Sequence, residues 1–197
     1  AALPFLTAAP AAPPSINTGA HANPQAQSLR IASANLHLDN MDPRPLAQWL
    51  ATVQPDMVVL VELSPGFAQG LKAIAGYPHR ITYPRDDPFG LGVLSRYPLQ
   101  PTQLLNTPGD TPLLRAVVQA HGTTVHLSAV HPMPPISRED FATRNALLQR
   151  ETQYLKNTGQ PAILAGDLNA SVWSSAFASD ALGLRRTCGM APTWPAA

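Results

Sequence analysis

From Leu29 onward, apolar runs of strand length alternate with segments whose apolar positions recur every three or four residues. The runs at 29–36 (LRIASANL), 56–63 (DMVVLVEL), 91–95 (LGVLS), 113–120 (LLRAVVQA), 124–131 (TVHLSAVH) and 161–167 (PAILAGD) have the length and composition of β-strands. Three helices are predicted between them. Over 43–54, Leu46, Trp49, Leu50 and Val53 fall on one face; over 64–76, Phe67, Leu71 and Ile74 form one stripe. The third helix, 137–159, opens with Ser137 three residues before Asp140 and closes at Gly159, a start and stop signal in the right order. Several strands are apolar on both faces, which requires cover on both sides. The pattern predicts a layered α/β domain.

Before Leu29 the pattern vanishes. Residues 1–28 carry no charge, and Pro4, Pro10, Pro13, Pro14 and Pro24 interrupt an Ala-rich stretch without periodicity. Such a segment reads as a semi-extended linker or disordered tail. No run in it approaches the ~18 apolar residues of a membrane span, and no basic n-region marks a signal peptide. The expectation is a linker to something upstream, a membrane segment being the first candidate. Residues 29–197 show no internal repeat and no second change of composition, so they are expected to form one domain.

Composition narrows the functional classes. Charged residues are 13% of the chain and the formal net charge is +1, which excludes a nucleic-acid binder working by bulk charge. The basic residues are 11 Arg and 2 Lys, weighing against extended duplex binding but not against a nuclease using a few Arg contacts. The single cysteine, Cys188, excludes an internal disulfide and a thiolate zinc cluster.

Sites in layered α/β folds collect where strands end. Asn35 ends the first run, Glu62 follows MVVLV, His131 follows LSAV, and Asp167 with Asn169 follows AILAG. Taken singly, Asn35 reads equally as a turn residue, His131 as a satisfied histidine, and Glu62 as the partner of an Arg on a neighbouring strand. Five such residues at four strand ends point to a common site. Two carboxylates, amides and an imidazole make an oxygen-rich set suited to Mg²⁺ or Mn²⁺ rather than zinc. Hydrolysis of a phosphodiester needs an activated water, charge relief on phosphate oxygens and a stabilised leaving oxygen. An Asp and Asn two residues apart can divide the work on the water.

The order of these blocks resembles the endonuclease/exonuclease/phosphatase superfamily. ANL resembles its first-strand Asn motif, and PDMVVLVEL its PD-x-hydrophobic-LQE motif, with Val61 where Gln is usual. GLGVLSRYPL is similar to its G-hydrophobic-SR-x-P block and GDLN to its GDFN signature. VHPMPP, RN-x-LL, NASVWS and PTWP resemble a bacterial branch whose members often sit behind N-terminal membrane helices. The resemblance implies a DNase-I-like four-layer α/β sandwich: two mainly antiparallel sheets face to face, with helices outside. It implies Glu62 as metal ligand, with Asn35 beside it holding metal or phosphate. Asp167 would orient or deprotonate the attacking water, Asn169 would position it and bind phosphate, and His131 would contact the scissile phosphate.

Arg115 is a candidate phosphate clamp by position. Arg96 is a second candidate for that role, with a structural ion pair favoured; Arg144 and Asn145 are expected as structural residues of the long helix, and Trp173 and Trp194 as packing residues. The implied activity is Mg²⁺- or Mn²⁺-dependent hydrolysis of a phosphodiester, in nucleic acid or a phospholipid head group, with no obligate protein partner. The implied location is bacterial, extracytoplasmic and membrane-tethered, with the cytoplasm as the alternative. The superfamily's last strand carries an Asp-His pair, whereas here no Asp or Glu follows Asp180 and no His follows His131. A C-terminally incomplete domain of weak activity is therefore expected, the alternative being a binding module that keeps the fold without catalysis.

Overall fold

The computed structural model describes residues 28–107, 110–170 and 174. The expectations for residues 1–27, for Trp173 and Trp194 and for the C-terminal blocks lie outside them. The elements run β1 (Ile31–Asn35), α1 (Arg44–Val53), β2 (Met57–Val61), α2 (Pro65–Gly70), a 3₁₀ turn (Leu71–Ala73), β3 (His79–Tyr83) and β4 (Leu91–Ser95). They continue with β5 (Leu99–Asn106), β6 (Pro112–Ala120), β7 (Thr123–Val130), α3 (Arg138–Asn157) and β8 (Ala162–Gly166).

The strands make two four-stranded sheets, ordered β1-β2-β4-β3 and β5-β6-β7-β8. Each sheet has two antiparallel pairings and one parallel pairing. The parallel pairs are β1 with β2 and β7 with β8. A parallel pair needs a crossover long enough to carry the chain back, and α1 and α3 are those crossovers.

Alternation along β2 divides its side chains between two cores. Met57, Val59 and Val61 join Leu91 and Val93 of β4 and Leu114, Val118, Leu127 and Ala129 of the other sheet in the inter-sheet layer. Val58 and Leu60 join the outer layer with Leu46 and Leu50 of α1 and Phe67 of α2. On the far side, Leu148 of α3 packs on Leu113 and Val130. Each fully buried Val or Leu contributes about 1.5–3 kcal/mol, so both sheets are locked by side chains the pattern had marked as apolar. The result is the four-layer α/β sandwich.

The helices follow their local signals. Ser137 caps α3 by accepting the Asp140 N–H at 3.0 Å, and Ser64 caps α2 by accepting the Phe67 N–H at 3.2 Å. The segment expected as one helix over 64–76 is shorter, giving way after Gly70 to the 3₁₀ turn. The stripe of Phe67, Leu71 and Ile74 is nevertheless buried as expected. Two strands, β3 and β5, carry no continuous apolar run. Both are sheet edges, and β5 is largely exposed with an irregularity between Pro101 and Gln103.

The ends of β7 and β8 approach unusually closely. Gly166 has φ of 135°, and a Cβ there would lie 1.9 Å from the Val130 carbonyl oxygen. Only glycine permits that backbone conformation and that contact. Gly166→Ala is expected to destabilise the domain by about 2 kcal/mol or more, measured as a lowered urea midpoint.

Candidate active site

Both parallel pairs end at the same end of the sandwich. Asn35 is the last residue of β1 and Glu62 the first beyond β2; His131 and Asp167 occupy the same positions beyond β7 and β8. At this junction Asn35 Nδ2 donates to Glu62 Oε1 at 2.7 Å and to Asp167 Oδ2 at 3.3 Å. One amide therefore joins carboxylates belonging to different sheets.

The surrounding backbone holds each group in place. The His37 N–H donates to Asn35 Oδ1 at 3.0 Å, turning the amide so that Nδ2 faces the carboxylates. The Leu38 N–H donates to Glu62 Oε2 at 3.1 Å. Asp167 Oδ1 accepts the Asn169 N–H at 3.0 Å, and Asn169 Nδ2 donates to the Pro132 carbonyl at 2.8 Å. Asn169 thus ties the end of β8 to the residue after His131. His37, Glu62 and Asn169 have φ of 63°, 57° and 47°, a left-handed conformation costing roughly 1–3 kcal/mol per non-glycine residue. These hydrogen bonds, and those of Leu36 N–H to Val61 and Leu63 N–H to Gly90, stabilise the turns.

His131 is 4% exposed, and its Nδ1 lies 3.0 Å from the Pro88 carbonyl oxygen. A carbonyl only accepts, so Nδ1 carries the proton and Nε2 is left for other chemistry. The Phe89 ring sits 5.4 Å from the imidazole, tilted by 50°.

Arg144, expected as a structural residue of the long helix, braces the site from behind. Its side chain is 3% exposed and Nη1 donates to the Asn169 carbonyl, while Nε and Nη2 donate to Asn145 Oδ1 at 3.1 and 2.9 Å. Among the described residues it makes no ion pair, and burial pushes its guanidinium below the ordinary arginine value. A buried guanidinium behind Asn169 adds positive potential at the site. A sequence pattern does not show which carbonyl a helical Arg will reach.

Two expectations need correction. Arg115 is no phosphate clamp. It projects from β6 under α3, where Nε and Nη2 each donate to Glu151 at 3.0 Å, Nη1 donates to Gln103 at 2.7 Å, and the guanidinium lies 3.5 Å from the Tyr154 ring centroid. Glu151 is fully buried and also accepts from Ser128, so Arg115 is committed to neutralising it. Arg96 forms no ion pair among the described residues; it lies 5.6 Å over the Tyr77 ring.

The junction offers oxygen donors of the kind a hard divalent cation takes. Among the described residues no three His, Cys, Asp or Glu cluster closely enough to cage a metal. Mg²⁺ takes one or two carboxylates and keeps several waters. Glu62 would be such a carboxylate, with Asp167 across the Asn35 amide left to act on a water, and the residues present fit the ion.

A model of the Endonuclease/Exonuclease/phosphatase family matches residues 32–197, and the chain belongs to that family. No curated protein sequence matches it. Among solved structures, the chain is similar to humanized D. rerio TDP2 carrying 14 mutations, at 26% identity and TM-score 0.59 over 73% of this chain and 63% of that one. D. rerio TDP2 complexed with single strand DNA product is similar at 24% identity and TM-score 0.63, over 79% and 64%. Sphingomyelinase C from Streptomyces griseocarneus is similar at 23% identity and TM-score 0.60, over 80% and 69%. The chain spans less than two thirds of either TDP2 structure.

Two outcomes test these assignments. Glu151→Ala leaves Arg115 buried without its partner and is expected to cost about 3–5 kcal/mol, whereas the double change Arg115→Met with Glu151→Leu recovers most of that. Chemical denaturation checks both. Asn35→Asp places a third carboxylate against Glu62 and Asp167, costing about 1–4 kcal/mol in the absence of metal. Millimolar Mg²⁺ should then raise the melting temperature of this variant more than that of the wild type.

Proposed function

We propose that this chain is a phosphodiesterase assisted by Mg²⁺ or Mn²⁺, acting at the junction of Asn35, Glu62, His131, Asp167 and Asn169. The carrying observation is the Asn35 amide, within hydrogen-bond reach of both Glu62 and Asp167. Glu62 would hold the cation, its carboxylate steadied by the Asn35 Nδ2 donor, and the bound ion would neutralise phosphate charge and polarise the scissile bond. Asp167 takes a proton from the attacking water, whose oxygen forms the new bond to phosphorus as the ester P–O bond breaks. The leaving oxygen is protonated from solvent. Asn169 keeps Asp167 in register through its backbone N–H, and its remaining side-chain donor and acceptor orient the water. His131, held at Nδ1 by the Pro88 carbonyl, contacts the scissile phosphate through its Nε2 edge.

The similarity to D. rerio TDP2 complexed with single strand DNA product and to a sphingomyelinase C supports nucleic acid and phospholipid head groups as substrate classes. Near-neutral net charge favours a substrate gripped at one phosphate over a long duplex. Residues 1–28, uncharged and Pro-rich, read as a linker, and the proposed location is bacterial, extracytoplasmic and membrane-tethered, which cell fractionation tests. Among the described residues no helix is long and apolar enough to cross a membrane.

The purified protein, assayed with bis-p-nitrophenyl phosphate, single-stranded DNA, plasmid and sphingomyelin vesicles, should require added Mg²⁺ or Mn²⁺ and lose turnover in EDTA. Asp167→Asn should lower kcat about 10²–10⁴-fold, and Glu62→Gln should weaken metal dependence sharply while both variants stay folded. Turnover unaffected by either substitution overturns the proposal.

A further inference from the structure

The connection between β3 and β4, residues 84–90, is fastened to the site at both ends. The Arg85 N–H donates to the Leu63 carbonyl at 3.0 Å, and the Leu63 N–H donates to the Gly90 carbonyl at 3.1 Å. A Cβ on Gly90 would lie 2.0 Å from that Leu63 oxygen, so the strap and the residue after Glu62 run in direct backbone contact. Between these anchors the strap brings two groups to His131, the Pro88 carbonyl and the Phe89 ring.

A two-residue carboxylate turn shapes the middle of the strap. Asp87 Oδ1 accepts the Phe89 N–H at 2.9 Å and Arg85 Nε at 2.8 Å, while Oδ2 accepts from Arg85 Nη2. Arg85 Nη2 also donates to Asp110 Oδ2 at 3.2 Å, tying the strap to the turn before β6. The Arg85 guanidinium holds the Asp87 carboxyl below the usual aspartate range. A carboxylate that braces both its neighbour's N–H and an Arg fixes the direction of the peptide between them, here the one bearing the Pro88 carbonyl.

We propose that Asp87, clamped by Arg85, is a positioning residue that sets the orientation and tautomer of the His131 imidazole through the Pro88 carbonyl. Loss of the clamp frees the strap, the carbonyl turns away, and the neutral ring redistributes between its two tautomers. The catalytic consequence rests on the phosphodiesterase reading; the tautomer does not, and the experiment separates them.

Side-chain ¹H–¹⁵N spectra of His131 are compared in the wild type, Asp87→Ala and Asp87→Asn, alongside kcat and KM for bis-p-nitrophenyl phosphate with Mg²⁺. The wild type is expected to hold neutral His131 as the Nδ1–H tautomer. Asp87→Ala should mix the tautomers and lower kcat about 10–100-fold, the usual effect of losing an outer residue that orients a site group, with KM little changed. Asp87→Asn keeps an acceptor for the Phe89 N–H but loses the ion pair, and should fall between. Should Asp87→Ala fail to fold, Asp87→Asn decides by the same readouts. A folded variant whose His131 tautomer or kcat matches the wild type overturns the proposal, as does a wild-type ring held as Nε2–H. A wild type inactive on every phosphodiester overturns the functional reading alone, and the tautomer then decides the role of Asp87.

Discussion

Glu62 and Asp167 project from different sheets toward the same point, and two carboxylates at that separation repel unless something positive lies between them. The Asn35 amide is that element in the protein itself. Its Nδ2 faces both acids, and its oxygen is held by a backbone N–H so that the amide does not flip. The rest of the architecture serves this contact. The inter-sheet core sets the distance between β2 and β8, the two crossover helices make β1 run with β2 and β7 with β8, and Gly166 lets the last pair close up. Remove any of these and the acids part.

Around that contact the chain accepts local strain. Non-glycine residues adopt left-handed backbone at Glu62, His37 and Asn169, where a more relaxed turn would aim the side chains elsewhere. Compensation comes from hydrogen bonds to neighbouring strands and from Arg144, whose buried guanidinium grips the Asn169 carbonyl. Direction of a side chain and stability of a turn are in opposition here, and the surrounding packing resolves it in favour of direction.

The central strands were legible because burial on both faces leaves no place for polar residues: MVVLV and LGVLS are buried throughout. The edge strands β3 and β5 were not, since one exposed side and partial cover permit HRITY and LQPTQLLN. The five strand-end residues stood out because a polar group closing an apolar run is costly without a task. Arg115 misled for a related reason. An Arg in an apolar strand suggests an anionic ligand, but the anion is Glu151, 36 residues away and invisible to local pattern. The Pro88 carbonyl could not be read at all, because main-chain acceptors are the same at every position.

The Asn35–Asp167 hydrogen bond spans 132 residues of sequence, nearly the whole described chain. Contacts of that separation form late, since the entropy of closing so large a loop must be met by sheets already built and docked. During synthesis Asn35 and Glu62 emerge long before their partner strand exists, and a half-made chain holds its acids apart. The proposed site is therefore completed only by the final docking of the two sheets.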